Sequence, residues 1–94
     1  MTRALLGVAG ATLGCECAGR IVQVGSAVTH LQRGDRVVAF AASAFSTHVT
    51  IAAGCVAKLP DAISTEAGAT VPVAFLTAYY SLVTLARLKR GEWV

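Results

Sequence analysis

The chain has 94 residues, enough for one small domain or part of a larger one. It is 55% hydrophobic and only 14% charged, so some of its apolar surface must meet either further protein or a membrane. A net charge of +3, with no basic stripe and no aromatic interleaving, argues against a nucleic-acid partner.

The N-terminal stretch Met1–Ala11 has one Arg and a short, Gly-rich apolar run, and resembles a signal peptide only weakly. Cysteine usage points the same way. Cys15, Cys17 and Cys55 are an odd, sparse set, which favours reduced thiols in a cytoplasmic protein over a disulfide framework. Cys-x-Cys with no second pair and no nearby His gives poor support for zinc.

In chain order, Ile21-Val-Gln-Val24 is a β-branched run closed by Gly25-Ser26 and predicts a strand. Residues 29–35 form a loop, with Gly34-Asp35 supplying the tight turn. Arg36–Phe40 predicts the next strand, and Ala44–Ile51, with its imperfect alternation, a half-buried third. Cys55–Leu59 predicts a fourth, before Pro60. Short strands at this spacing suggest a small barrel or sandwich.

The pattern changes at Pro60-Asp61. Ser64 is the predicted N-cap of a helix with Glu66 in its first turn, and Pro72 ends or restarts that helix. A second helix is expected from about Pro72 to Leu88, closing near Gly91, with Arg87, Lys89 and Arg90 offsetting the C-terminal partial charge. Apolar nearly all round, it should be buried on several sides. Trp93-Val94 then reads as the opening of a strand that the chain does not continue.

Residues 67–86 carry no charge over the length of a bilayer span. Gly68, Pro72, four hydroxyl residues and mid-segment tyrosines weigh against a membrane reading. Arg33-Gly34-Asp35 matches an adhesion tripeptide but reads better as a turn. His48 reads as a structural or surface residue. Ser43, Ser46 and Ser81 lack a nucleophile-elbow context, and no Gly-x-Gly-x-x-Gly or P-loop occurs. The residues alone therefore supply no catalytic constellation.

Three segments in order, Leu13-Gly-Cys-Glu-Cys-Ala-Gly-Arg-Ile-Val22, Gly34-Asp-Arg-Val-Val-Ala-Phe40 and Pro72-Val-Ala-Phe-Leu-Thr-Ala-Tyr-Tyr80, closely resemble the enoyl reductase domain of type I polyketide synthases. That domain belongs to the medium-chain dehydrogenase/reductase superfamily, near the zinc-free quinone oxidoreductases. The segments Ala44-Phe-Ser-Thr-His-Val49, Leu59-Pro60 and Ser64-Thr-Glu-Ala67 also fit, so the resemblance runs from about residue 13 to residue 94. Residues 1–12 do not match.

The resemblance implies a mainly β fold with C-terminal helices. Residues 1–60 would be a partial GroES-like barrel, and residues 61–94 hinge helices leading to the first strand of a Rossmann domain absent from the chain. It also implies NADPH-dependent reduction of an α,β-enoyl thioester on an acyl carrier protein. Hydride goes to the β carbon and a proton to the α carbon.

Zinc-dependent relatives carry Gly-His-Glu where this chain has Gly14-Cys15-Glu16, so the resemblance implies a zinc-free site. Glu16 is then structural, pairing with a nearby cation. Thr77 is the one residue carried over to cofactor contact, near the nicotinamide; the alternative is a Thr bonded back to the preceding turn. No catalytic acid is carried over, because the family's candidates fall outside the matching residues. With neither acid nor phosphate cradle, the chain alone is expected to be inactive and to hold NADPH weakly. A quinone-oxidoreductase fragment, and a non-catalytic module that homodimerises or complements another subunit, are the alternatives.

Overall fold

The computed structural model describes residues 13–94. Three strands form one antiparallel sheet in the order β1-β2-β3: β1 is Glu16–Arg20, β2 is Arg36–Phe40 and β3 is Val56–Lys58. Glu16 pairs with Phe40 and Arg20 with Arg36; on the other side of β2, Val37 pairs with Lys58 and Ala39 with Val56. Backbone hydrogen bonds extend the first ladder beyond the strand, from Ala41 N–H to the Cys15 carbonyl (2.9 Å) and from Phe45 N–H to the Leu13 carbonyl (3.2 Å).

β2 is the centre of the described sheet because, among the described residues, only it is paired on both sides. Its alternation is read out directly, with Val37 and Ala39 buried. They join Leu31, Ala41 and Leu59 in a small core.

The strand predicted over Ile21–Val24 lies earlier, at Glu16–Arg20. Pairing sets this limit. β2 begins only after the turn at Gly34, whose φ of 94° is open to glycine, so residues beyond Ile21 face no strand among those described. Ile21 keeps two bonds to that turn, through Asp35 O (3.0 Å) and Gly34 N–H (2.8 Å). Val22 and Val24 are exposed despite their β propensity.

The strand predicted over Ala44–Ile51 is a series of turns. Ser43 is left-handed at φ 59°, and the Ser46 hydroxyl lies 2.9 Å from both the Ser43 and His48 carbonyls. The hydroxyl has one hydrogen to give, shared between these two carbonyls, and it engages them locally instead of in a ladder.

Ser64 caps α1 (Thr65–Gly68): its Oγ accepts from Ala67 N–H at 3.1 Å, with Glu66 in the first turn. α2 (Pro72–Tyr79) opens with buried Pro72 at its first position, where the missing N–H costs nothing. The expected helix to Leu88 stops early. After Tyr79 the chain widens into a π segment, Tyr80–Leu85, and Arg87 turns left-handed at φ 53°. Ala86 N–H reaches Ser81 O, five residues back, at 2.9 Å. Gly91 therefore sits in a later turn, at φ 90°, and no basic residue lies in the final helical turn.

One more expectation changes. Phe75, Leu76, Tyr79, Tyr80, Val83 and Leu85 are exposed, so this helix is not buried on several sides. Trp93 and Val94 pair with no strand among the described residues, and Trp93 is 98% exposed. Among the described residues no helix is long and apolar enough to cross a membrane.

Candidate functional site

The candidate site lies where the start of β1 meets the start of α2. Gly14, at φ 84°, turns the chain into Cys15-Glu16. Its missing side chain leaves room for Phe45: a Cβ there would lie 2.7 Å from the Phe45 ring and 2.9 Å from its backbone nitrogen. Glycine is thus required twice, by conformation and by contact.

Two residues on, half-buried Glu16 reaches across to α2. Its Oε2 accepts the Val73 backbone N–H at 2.7 Å. Val73 is the second residue of α2, and Val71 before it offers no capping side chain. The carboxylate from the sheet therefore takes a donor that the helix itself leaves unsatisfied, at the end where the dipole favours negative charge. Sequence reasoning made Glu16 structural, and the structure agrees; its partner is a helix N-terminus rather than a cation. The sequence signal was available in Val71-Pro72, a helix start with no Ser, Thr, Asp or Asn to cap it.

Thr77 lies one turn beyond Val73 on α2, and its side chain is exposed. Its hydroxyl makes no hydrogen bond among the described residues. The back-bond in this turn belongs to Ser81, whose Oγ donates to the Thr77 carbonyl at 2.7 Å.

Of the thiols, Cys15 and Cys55 are exposed and Cys17 is half-buried. Burial pushes the Cys17 thiol above its ordinary range. Among the described residues, no three His, Cys, Asp or Glu side chains gather where one ion could bind them. His48 is exposed, with Nδ1 3.3 Å from Thr47 Oγ1. It lines an open groove of about 610 Å³ together with Leu13, Ser43, Phe45 and Thr50.

Asp35 of the tripeptide is engaged locally. Its Oδ2 accepts Gln32 N–H at 3.0 Å and lies 3.4 Å from Lys58 Nζ. The Gln32 bond first, and then Lys58, hold the carboxyl below its usual range, against some desolvation.

Comparison with known proteins gives this geometry a family. Two polyketide synthases align over 82 residues, 87% of the chain: the highly reducing polyketide synthase tstA of Talaromyces stipitatus at 45% identity and GfsB of Streptomyces halstedii at 50%. The chain spans only 3% and 2% of their lengths.

Two solved structures superpose on it. One is CurK enoyl reductase, with a TM-score of 0.82 and 37% identity over 90% of the chain. The other is mycobacterial Rv1454c complexed with NADPH, with a TM-score of 0.75 and 36% identity over 84% of the chain. The chain covers 26% of each. No Rossmann fold occurs among the described residues.

The family of alcohol dehydrogenase GroES-like domains matches over residues 3–61. That match starts upstream of Leu13, so the likeness extends into residues 3–12, contrary to the mismatch expected over residues 1–12, which lie outside the described residues. The partial β sheet, its short helices and this match over most of the chain lead to one conclusion: the chain belongs to the alcohol dehydrogenase GroES-like domain family.

Proposed function

We propose that this chain is the substrate-side part of an NADPH-dependent enoyl reductase of the polyketide-synthase type. Its substrate is an α,β-enoyl thioester carried on an acyl carrier protein in the cytoplasm. Residues 1–60 supply the partial GroES-like barrel, and residues 61–94 the hinge leading towards a cofactor domain. The observation that carries this reading is the likeness to CurK enoyl reductase, at 37% identity over 90% of the chain. The polyketide synthases at 45% and 50% identity support the same branch over quinone reductases.

The described residues do not fit a whole dinucleotide. Phosphates need a Gly-rich turn between a strand and a helix, with backbone N–H groups converging on them. The three described glycines with positive φ are Gly14, Gly34 and Gly91, and none opens a helix. We therefore assign this chain no phosphate contact. Its one proposed cofactor contact is Thr77, whose exposed hydroxyl is free to meet a nicotinamide carboxamide. We propose a zinc-free site, supported by the donor set: Cys15 has no two further ligands gathered around it among the described residues.

The test has two arms. The chain alone, mixed with NADPH and a crotonyl thioester, is expected to consume no NADPH above background. A chimera in which this chain replaces the matching quarter of CurK enoyl reductase is expected to reduce the thioester. A folded chimera without activity overturns the assignment. In an active chimera, Thr77→Val should raise the NADPH KM by about tenfold, the worth of one polar contact, and leave the thioester KM unchanged.

A further inference from the structure

We propose that Glu16 is a positioning residue: a clasp from the sheet that sets where α2 begins, and so where Thr77 stands. This rests on the functional reading only for the role of Thr77; the clasp itself rests on geometry.

Three observations converge on it. The Glu16 carboxylate and Val73 N–H are 57 residues apart in sequence yet 2.7 Å apart in space, in a part-buried setting. α2 has no cap of its own, because Val71 contributes no side-chain hydrogen bond and Pro72 has no N–H. Finally, Glu16 is fixed on its own side, since it begins β1 and pairs with Phe40 on the central strand.

A side-chain cap normally comes from the residue just before its helix and travels with it. Here the acceptor belongs to another element, so the bond defines a relation between elements. The first turn of α2 cannot slide or rotate against β1 without losing the bond. Thr77 follows Val73 by four residues, one turn along the same helix face, and inherits that register. The adjoining joint is short and bonded within itself: only Ala69, Thr70 and Val71 separate α1 from Pro72, Thr70 N–H donates to the Ala67 carbonyl and Val71 N–H to the Gly68 carbonyl, both at 3.1 Å, and neither of these bonds ties α2 to the sheet.

The test is amide exchange by NMR on the full 94-residue chain, with Glu16→Ala, Glu16→Gln and Ser64→Ala. Glu16→Ala should speed exchange at Val73 by about tenfold, the usual effect of a lost cap, and shift the resonances of Val73–Thr77. Glu16→Gln keeps an acceptor oxygen at the same reach and should restore most of the protection. Ser64→Ala removes the α1 cap and controls for general destabilisation; it should leave the Val73 ratio unchanged.

The proposal is overturned if Glu16→Ala leaves Val73 unaffected, if Glu16→Gln behaves like Glu16→Ala, or if Ser64→Ala reproduces the same pattern. None of these readouts depends on reductase activity. A failed clasp and a failed functional assignment therefore give different results.

Discussion

Gly68 of α1 packs closely against Leu59 and Val38. A Cβ placed there would lie 2.8 and 2.9 Å from the two Leu59 methyls and 3.2 Å from Val38. Leu59 is itself buried, so it has little room to yield. Gly68→Ala should therefore destabilise the chain by about 1–3 kcal/mol, the usual cost of overpacking, measured by urea unfolding. Gly54→Ala is the matched control. Nothing lies within 4 Å of that position, so its midpoint should stay within about 0.5 kcal/mol.

At Asp35 the same scale gives a pH dependence. The Gln32 N–H and Lys58 favour the charged form, so the folded chain binds this proton less readily than the unfolded one. The resulting stability is present above the ordinary carboxylate range and is lost as pH falls through the lowered folded value. Asp35→Asn should thus melt below the native chain at pH 7. The two melting temperatures should converge as pH drops below about 4.

Short elements here succeed or fail by their partners. α1 has four residues, too few to persist by propensity, and it survives through the Ser64 cap and its contact with Leu59. Ser64→Ala should cost about 1 kcal/mol and open the amides of Ala67 and Gly68 first, as hydrogen exchange would record. This element was legible because its signals are local: a Ser, then Glu66, then a Gly.

β2 was legible for a similar reason, with a turn glycine before it and a clean apolar run within it. β1 was displaced because its extent is decided by where β2 starts, which Ile21–Val24 do not encode. Residues 44–51 alternate, imperfectly, as a strand does, yet the Ser46 hydroxyl shares its one hydrogen between two carbonyls, and alternation carries no trace of that competition. The widening at Tyr80–Leu85 was also invisible, because an apolar helix reads the same whether its bonds span four residues or five. In the candidate site, a structural role for Glu16 was legible, but its partner was not. A contact across 57 residues is a property of the fold.

For the whole molecule, the decisive quantity is apolar surface left uncovered. The core is small, and its buried hydrophobic members include two alanines. Meanwhile Phe75 and Tyr79, one turn apart on α2, are 65% and 63% exposed, with Leu76, Tyr80, Val83 and Leu85 continuing the apolar surface. In a symmetric pair both copies bury this surface: the four aromatic side chains contribute about 6–12 kcal/mol, comparable with an association cost of about 4–15 kcal/mol, and Leu76, Tyr80, Val83 and Leu85 add to the favourable side.

The native chain should therefore show an apparent mass that rises with concentration in sedimentation or light scattering. Phe75→Glu with Tyr79→Lys removes the aromatic pair and replaces it with an i,i+4 ion pair of the favourable orientation. The helix is then supported while its sticky surface is lost. The double variant should remain at monomer mass across the same concentrations, with an unchanged far-ultraviolet circular dichroism spectrum. A native chain that is monomeric throughout would show that this surface does not drive association. A double variant that still associates would place the contact elsewhere, at β1 and β3, which are the edges of the sheet among the described residues and whose backbone donors and acceptors offer a different means of pairing.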